Sequence, residues 1–386
     1  MLFFISLFVF IIWLVLFFAR ANFWRVWDFD FDRVQLLPPP KWPRVTAIIP
    51  ARNEAASIGA VVGELALQDY PGELSIIVVD DHSDDGTAEI AACVAAQTAG
   101  ANRIRIMSAP ELASGWTGKL WALNAGVSES SQSLPDFLWF TDADVLHTPD
   151  TLRRLVSRAE TDCVDLTSLM VLLKAATPAE RMLIPPFLYF FLMLYPPKWT
   201  ADREAKTAGA AGGCILLRRT ALERIGGLSA IRNEVIDDCA LARAVKTAGG
   251  KIWLGLTRAS RSLRSYETFS EIRDMIARTA FTQLDYSTLL LLGTIAGVLT
   301  TFLLPVALTF FPSARIWAPA LFAWCLMTAS FLPTVTLYRL SPFWALLLPL
   351  AALFYSFATL LSAIRFRAGR GGQWKGRAQA SRTLSP

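Results

Sequence analysis

Residues 137–147 read FLWFTDADVLH. Four apolar residues, Phe137 to Phe140, run directly into Thr141, Asp142, Ala143 and Asp144. A short continuous apolar run with a polar boundary is the pattern of a strand buried on both faces. Two carboxylates one residue apart at its end repel each other, and they are costly to bury without a partner. Their position predicts that this strand ends at a site.

The same pattern repeats upstream. Residues 45–49 (VTAII) form an apolar run that stops at Pro50 and leads into Ala51, Arg52, Asn53 and Glu54. Helical spacing follows over 54–68, with Ile58, Val61, Val62 and Leu65 on one face. A second run, 74–79 (LSIIVV), ends in DDHSDDGT at 80–87, and an Ala-rich helix is predicted over 87–97. A third, shorter run is Ile104-Arg105-Ile106. Strand alternating with helix predicts an α/β fold with a mostly parallel sheet and crossover helices. Ligands of such sheets bind beyond the carboxyl ends of the strands. Parallel strands would bring the polar clusters 50–54, 80–87 and 141–144 to one rim.

Carboxylates at that spacing suit a divalent ion with oxygen ligands. A Mg²⁺ or Mn²⁺ ion can neutralise a departing diphosphate. The chain has neither a GxxxxGK[ST] loop nor a GxGxxG turn. A nucleoside diphosphate held by metal and aspartates therefore fits better than ATP or a dinucleotide.

Composition supplies the setting. Of 386 residues, 54% are hydrophobic and 18% charged, too apolar for an ordinary soluble enzyme. Uncharged or nearly uncharged runs at 1–19, 288–311, 316–338 and 342–364 are each long enough to cross a hydrocarbon core of about 30 Å. The expected organisation is a transmembrane anchor at 1–20, a linker at 21–44 and a soluble domain at 45–285. A membrane region at 286–365 and a basic, disordered tail at 366–386 follow. The PPPKWP stretch at 38–43 stiffens the linker. No basic residue precedes the first run, which argues for an anchor over a cleaved signal peptide. Arg20 and Arg25 follow it. The positive-inside rule then places the amino terminus outside and the middle domain in the cytoplasm, in a multi-pass protein of the inner (plasma) membrane.

Residues 288–386 hold eight Lys/Arg and no Asp/Glu, which leaves residues 1–287 net negative within a chain of net charge +5. This charge abuts an apolar span, so it predicts attraction to anionic lipid and not to nucleic acid. Three full crossings after a cytoplasmic domain would leave the basic tail outside. Either one run is re-entrant or in-plane, or the tail breaks the rule; Pro305, Pro319, Pro333, Pro342 and Pro349 make irregular segments feasible. The apolar stretch 181–199, framed by proline pairs, is short for a span. It is expected either to lie in the interface, which would imply a lipid acceptor, or to form a buried core helix. Five cysteines without CxxC spacing fit a reducing compartment and argue against a zinc site.

Six stretches, IIPARNE (48–54), VVDDHSDDGT (78–87), TGKLWALNAG (117–126), WFTDADV (139–145), GAAGGCILLRR (209–219) and VIDDCALA (235–242), carry a resemblance. In order and spacing, residues 45–285 resemble family 2 glycosyltransferases of the GT-A fold. With the flanking apolar runs, the chain is most similar to the membrane-bound hopene-associated glycosyltransferases, near ceramide glucosyltransferases. The resemblance implies a nucleoside-diphosphate sugar donor, usually UDP-linked, and a lipid acceptor.

Carried over residue by residue, it implies that Pro50, Ala51 and Glu54 hold the nucleoside. Asp81 would bond the base, with Asp80 beside it. Lys119 would lie near the donor phosphates. Asp144 would be the main metal ligand, with Asp142 on the ribose or sharing the metal. Asp238, preceded by Asp237 where the family has Glu, would be the base that deprotonates the acceptor. Gly212, Gly213 and Arg218 match the segment before the acceptor loop. The family's (Q/R)xxRW signature is reduced here to Arg278 within MIART, which weakens a processive-synthase reading. His147 either joins the metal or serves the turn before 148–150. Two rivals fit parts of the pattern. A nucleotidyltransferase would release pyrophosphate, and the chain lacks the basic Gly-rich loop for it. A non-catalytic membrane scaffold would not need the acidic pairs.

Overall fold

The computed structural model describes residues 1–98 and 100–369, and the backbone of 373–374 and 377–378. The basic tail expected at 366–386 lies outside the described residues from 370 on, apart from those two backbone pairs. The described chain forms two compact units. One gathers Met1–Asp28, Lys174–Lys198 and residues 265–369; the other holds Phe29–Leu173 and Trp199–Arg264.

The second unit is built on an eight-stranded sheet. Its strands are β1 (Val45–Ala51), β2 (Leu74–Asp80), β3 (Ile104–Ser108), β4 (Phe137–Thr141), β5 (Val145–His147), β6 (Leu166–Leu172), β7 (Cys214–Arg218) and β8 (Ile252–Ser262). Their order is β3-β2-β1-β4-β7-β6-β8-β5. Strands β1 to β4 run parallel, as the strand-helix alternation predicts. The sheet as a whole is mixed: β7 runs antiparallel to both β4 and β6, and β5 antiparallel to β8. Every residue of β1 and β4 is buried, consistent with their unbroken apolar runs.

Period-two alternation divides the strand residues between two cores. On one face Val45, Ala47 and Ile49 pack with Ile58, Val61, Val62 and Leu65 of the helix Ile58–Ala66. On the other, Ile48 meets Leu120, Ala122 and Leu123 of the helix Gly118–Ser130. This second helix rides close to the sheet at Gly126, where a Cβ would stand 2.5 Å from Ile48 Cγ2 and 3.1 Å from Val79 Cγ2. The strand order reverses at β1, between β2 and β4, and the carboxyl ends of all three share one edge. That crevice is where such sheets place ligands.

The first unit contains four helices long and apolar enough to cross a membrane: Leu2–Ala19, Thr288–Thr309, Ala314–Leu337 and Pro342–Arg367. Proline accounts for one irregularity among them. Pro305 lacks the N–H that would bond Thr301 O, a π turn spans Leu299–Leu303, and Trp13 Nε1 donates to the freed Thr301 carbonyl at 2.7 Å.

One boundary differs from the sequence expectation. Residues 265–285 belong to the unit of the apolar helices. The stretch 181–199, expected either in the interface or as a buried core helix, is mostly the helix Pro178–Leu194, started by a Thr177–Glu180 capping box. Leu183, Ile184, Tyr189 and Leu192 are buried within the unit. Tyr189 hydroxyl meets Ser330 Oγ at 2.7 Å, and Tyr355 hydroxyl donates to Leu183 O at 2.9 Å. A short apolar run becomes an interior helix when longer helices supply partners for its aromatic and polar groups.

Candidate active site

The loops after β1 and β2 are stapled together. Asn53 takes the left-handed conformation (φ 51°), which Asn tolerates. Its N–H donates to Ser83 Oγ at 2.9 Å, and its Oδ1 accepts from Asp84 N at 3.1 Å. Glu54 N–H donates to Thr87 Oγ1 and Ala55 N–H to Asp85 Oδ2. The acidic turn therefore divides its carboxylates. Asp80 accepts from Ser83 N–H and Ser83 hydroxyl, so it builds the turn. Asp81 is fully buried, with Arg52 Nη1 3.7 Å from its Oδ2. Arg52 also donates to the backbone carbonyls of Asp81 and His82.

At the end of β4 the two carboxylates turn to different cations. Asp142 Oδ1 lies 2.8 Å from Lys119 Nζ, carried by the helix Gly118–Ser130. Burial pushes the Asp142 carboxyl above its ordinary value; Asp144 and Asp237 add to this, and Lys119 opposes it. Asp144 Oδ2 accepts from Arg264 Nε at 2.8 Å, and Arg264 Nη2 donates to Glu54 Oε1 at 2.7 Å. His147 stands apart from this network. It is buried, with Nε2 2.7 Å from Thr141 Oγ1 and Nδ1 2.8 Å from Ser260 Oγ. Burial lowers its pKa to about 3, so the ring is neutral. Both nitrogens are engaged by hydroxyls, so the ring serves the sheet and offers neither nitrogen to a metal.

Asp237 and Asp238 open the helix Asp237–Thr247, where the positive end of the helix dipole favours carboxylates. Asp238 Oδ2 accepts from Gly212 N–H at 2.8 Å and Oδ1 from Cys239 N–H at 2.7 Å. A Cβ at Gly212 would stand 3.3 Å from both Asp238 Oδ2 and Lys119 Nζ, so only glycine leaves this approach unobstructed. Lys119 Nζ also lies 3.6 Å from Asp237 Oδ2. Burial would lower the Lys119 pKa, but Asp142, Asp237 and Asp238 together outweigh it and hold the ammonium charged. Asp238 is pushed up to about 6, by burial first and then by Asp237, against Lys119 and the two backbone donors. One cleft is lined by Pro50, Lys119, Asp142, Gly212, Asp237 and Asp238.

The structure thus gathers Lys119, Asp142, Asp237 and Asp238 into one cluster, and Glu54 with Asp144 into another. Gly213 packs under β-strand neighbours, where a Cβ would meet Val171 Cγ2 at 3.1 Å. Two sequence-predicted residues are not part of either cluster. Arg218 is at the far end of β7: Cys214 pairs with Thr141 beside the site, whereas Arg218 pairs with Phe137 at the start of β4. Four residues of strand put about 13 Å between them, and Arg218 bonds Glu160 and covers the Phe137 ring. Arg278 belongs to the other unit and is exposed after the helix Phe269–Ala277. Sequence reasoning missed Arg264 and Arg52. Arg264 is one of several arginines in RASRSLRS, and no spacing marks it out. Arg52 was visible within PARNE as a basic residue at a strand end.

Residues 46–226 match the family model described as Glycosyl transferase family 2. An N-acetylglucosaminyltransferase of Mesorhizobium japonicum is 27% identical over 190 residues, covering 47% of this chain and 41% of that protein. A beta-monoglucosyldiacylglycerol synthase of Synechocystis is 34% identical over 116 residues, 30% of this chain and 22% of that one. An undecaprenyl-phosphate mannosyltransferase of Micrococcus luteus is 33% identical over 119 residues, 31% of this chain and 45% of that one. The matched stretches span less than half the length of each relative. Among solved structures, the mannosyltransferase PcManGT from Pyrobaculum calidifontis, in complex with GDP-Man and Mn²⁺, aligns with a TM-score of 0.56. It is 18% identical and covers 93% of this chain and 98% of that one, a likeness of fold.

Proposed function

We propose, from the match of residues 46–226 to the Glycosyl transferase family 2 model, that the protein transfers a sugar from a nucleoside-diphosphate donor to a membrane lipid with inversion at the anomeric carbon. The donor in this reading is a UDP-sugar. The acceptor is a lipid hydroxyl, with a hopanoid the candidate that the motif resemblance favours. Curated relatives named for diacylglycerol and undecaprenyl-phosphate products support a lipid acceptor. The four apolar helices support membrane residence, and the catalytic unit is assigned to the cytoplasmic face of the inner membrane.

One observation carries the reading. Asp238 faces the same cleft as Asp142, with Lys119 between them, and its pKa of about 6 suits a base working near neutral pH. Ionised Asp238 takes the proton of the acceptor hydroxyl, whose oxygen then attacks the anomeric carbon as the nucleoside diphosphate leaves. Gly212 N–H and Cys239 N–H hold the carboxylate in place throughout. Asp81, Pro50, Ala51 and Glu54 are assigned to the nucleoside on the motif resemblance, and Pro50 lines the cleft.

The acidic residues also offer hard oxygen donors to a divalent ion, though among the described residues no group of three or more His, Cys, Asp or Glu is placed to hold one. Among the described residues, Lys119 and Arg264 face five carboxylates, Glu54, Asp142, Asp144, Asp237 and Asp238, an excess of negative charge with hard oxygen donors. Asp144 and Asp142 would hold Mg²⁺ or Mn²⁺, which when bound neutralises charge developing on the diphosphate.

The test is Asp238→Asn in purified full-length protein in nanodiscs, supplied with UDP-sugars and a lipid extract. Transfer is expected to fall by about 10²–10⁴-fold, the usual worth of a positioned base, while UDP binding persists. Near-normal transfer by a folded, UDP-binding variant would sink the assignment. Release of pyrophosphate in place of UDP would point to nucleotidyl transfer.

A further inference from the structure

Arg264 follows β8 and joins two strand ends that the sequence keeps far apart. Its Nη2 donates to Glu54 Oε1 after β1, and its Nε to Asp144 Oδ2 after β4, at 2.7 and 2.8 Å. Its own N–H is held by Ser262 Oγ at 3.1 Å, and Ser262 hydroxyl reaches the same Asp144 oxygen at 3.4 Å. The Glu54 and Asp144 side chains are only 16% and 14% exposed, against 33% for Arg264. Charge-assisted bonds in such a partly enclosed place are stronger than surface ion pairs. A guanidinium presents its donors in a rigid fork, so it can bridge two carboxylates that a point charge cannot.

This has a consequence for the ion assigned to Asp144. A divalent cation on either oxygen of Asp144 would share that carboxylate with the guanidinium on Oδ2, and the two positive charges repel each other. We propose that Arg264 is a positioning residue that acts as an internal cation. It holds Asp144 and Glu54 together, and it would yield Asp144 to a divalent ion while keeping Glu54. The affinity of the free protein for the ion is therefore set by how firmly Arg264 holds Asp144. The inference rests on the reading of Asp144 as a metal ligand.

The experiment is a Mn²⁺ titration of the full chain in nanodiscs without nucleotide, following the free ion by electron paramagnetic resonance, with folding checked by thermal melting. Arg264→Gln is expected to bind Mn²⁺ about tenfold more tightly than wild type, the scale of one charge-assisted hydrogen bond. Arg264→Lys keeps the charge but loses the fork, so it should also tighten, by less; it serves if the Gln variant does not fold. Asp144→Asn should abolish binding. Unchanged or weaker binding in both Arg264 variants, with Asp144→Asn inactive in binding, overturns the role of Arg264 alone. Full Mn²⁺ binding by Asp144→Asn overturns the metal assignment and this inference with it.

Discussion

At the scale of single residues, the site is a problem of too many carboxylates. Asp237 and Asp238 share the first turn of one helix, and Asp142 faces them through Lys119. Burial and Asp237 together raise Asp238 to about 6, and Lys119 holds it from rising further. A raised carboxyl is protonated below its pKa and cannot act as a base there. Transfer, measured as kcat/KM, should therefore fall about tenfold per pH unit below roughly 6 and level off above it. Lys119→Gln removes the opposing charge, so the acid limb should move to higher pH, and Lys119→Arg should restore it. A limb that stays put in Lys119→Gln would place the base elsewhere. The aspartates of DDHSDDGT divide differently: Asp80 and Asp85 are spent on turn geometry, and Asp81 is fully buried against Arg52.

At the scale of elements, the close approach of the helix Gly118–Ser130 to β1 matters most, because that helix delivers Lys119. Replacing a glycine inside a helix by alanine ordinarily stabilises by about 1 kcal/mol. At Gly126 the added methyl would collide with Ile48 Cγ2 at 2.5 Å, in fully buried surroundings. Overpacking of that kind costs about 1–3 kcal/mol, so it outweighs the helix gain. Gly126→Ala is expected to lower the melting temperature, and also transfer, as the helix is pushed outward and Lys119 with it. Unchanged melting and activity would mean the helix yields without cost. The antiparallel β7 has a matching role: its amino end places Gly212 against Asp238, while its far end, with Arg218, only fastens the sheet.

At the scale of the molecule, the four apolar helices decide how the protein must be handled. Each is 18 to 26 residues long, enough to cross about 30 Å of hydrocarbon. Alkaline carbonate, which strips proteins held by charge alone, is expected to leave the chain in the membrane pellet. Release into the supernatant would reduce these helices to a surface association. The helix Pro178–Leu194 and residues 265–285 belong with this unit, although they lie within the span of sequence that carries the site motifs. Periodicity reports what a segment buries; it does not report which neighbour buries it.

The sequence by itself determined the parallel half of the sheet, its helices and the acidic strand ends, because each is written in local pattern: unbroken apolar runs, helical spacing, and carboxylates where a strand stops. It also determined the apolar spans, since length and hydropathy are local properties. Only the tertiary structure decided which charges meet. Arg264 reaches Glu54 across 210 positions and Asp144 across 120, and no local signal encodes such a pairing. The same holds for His147, whose two nitrogens are claimed by Thr141 and by the distant Ser260, and for Arg218, carried away from the site by the direction of its strand. Long-range electrostatic pairing and strand polarity follow from how the chain closes on itself, and that closure set the partners of Thr141, Asp142, Asp144 and His147.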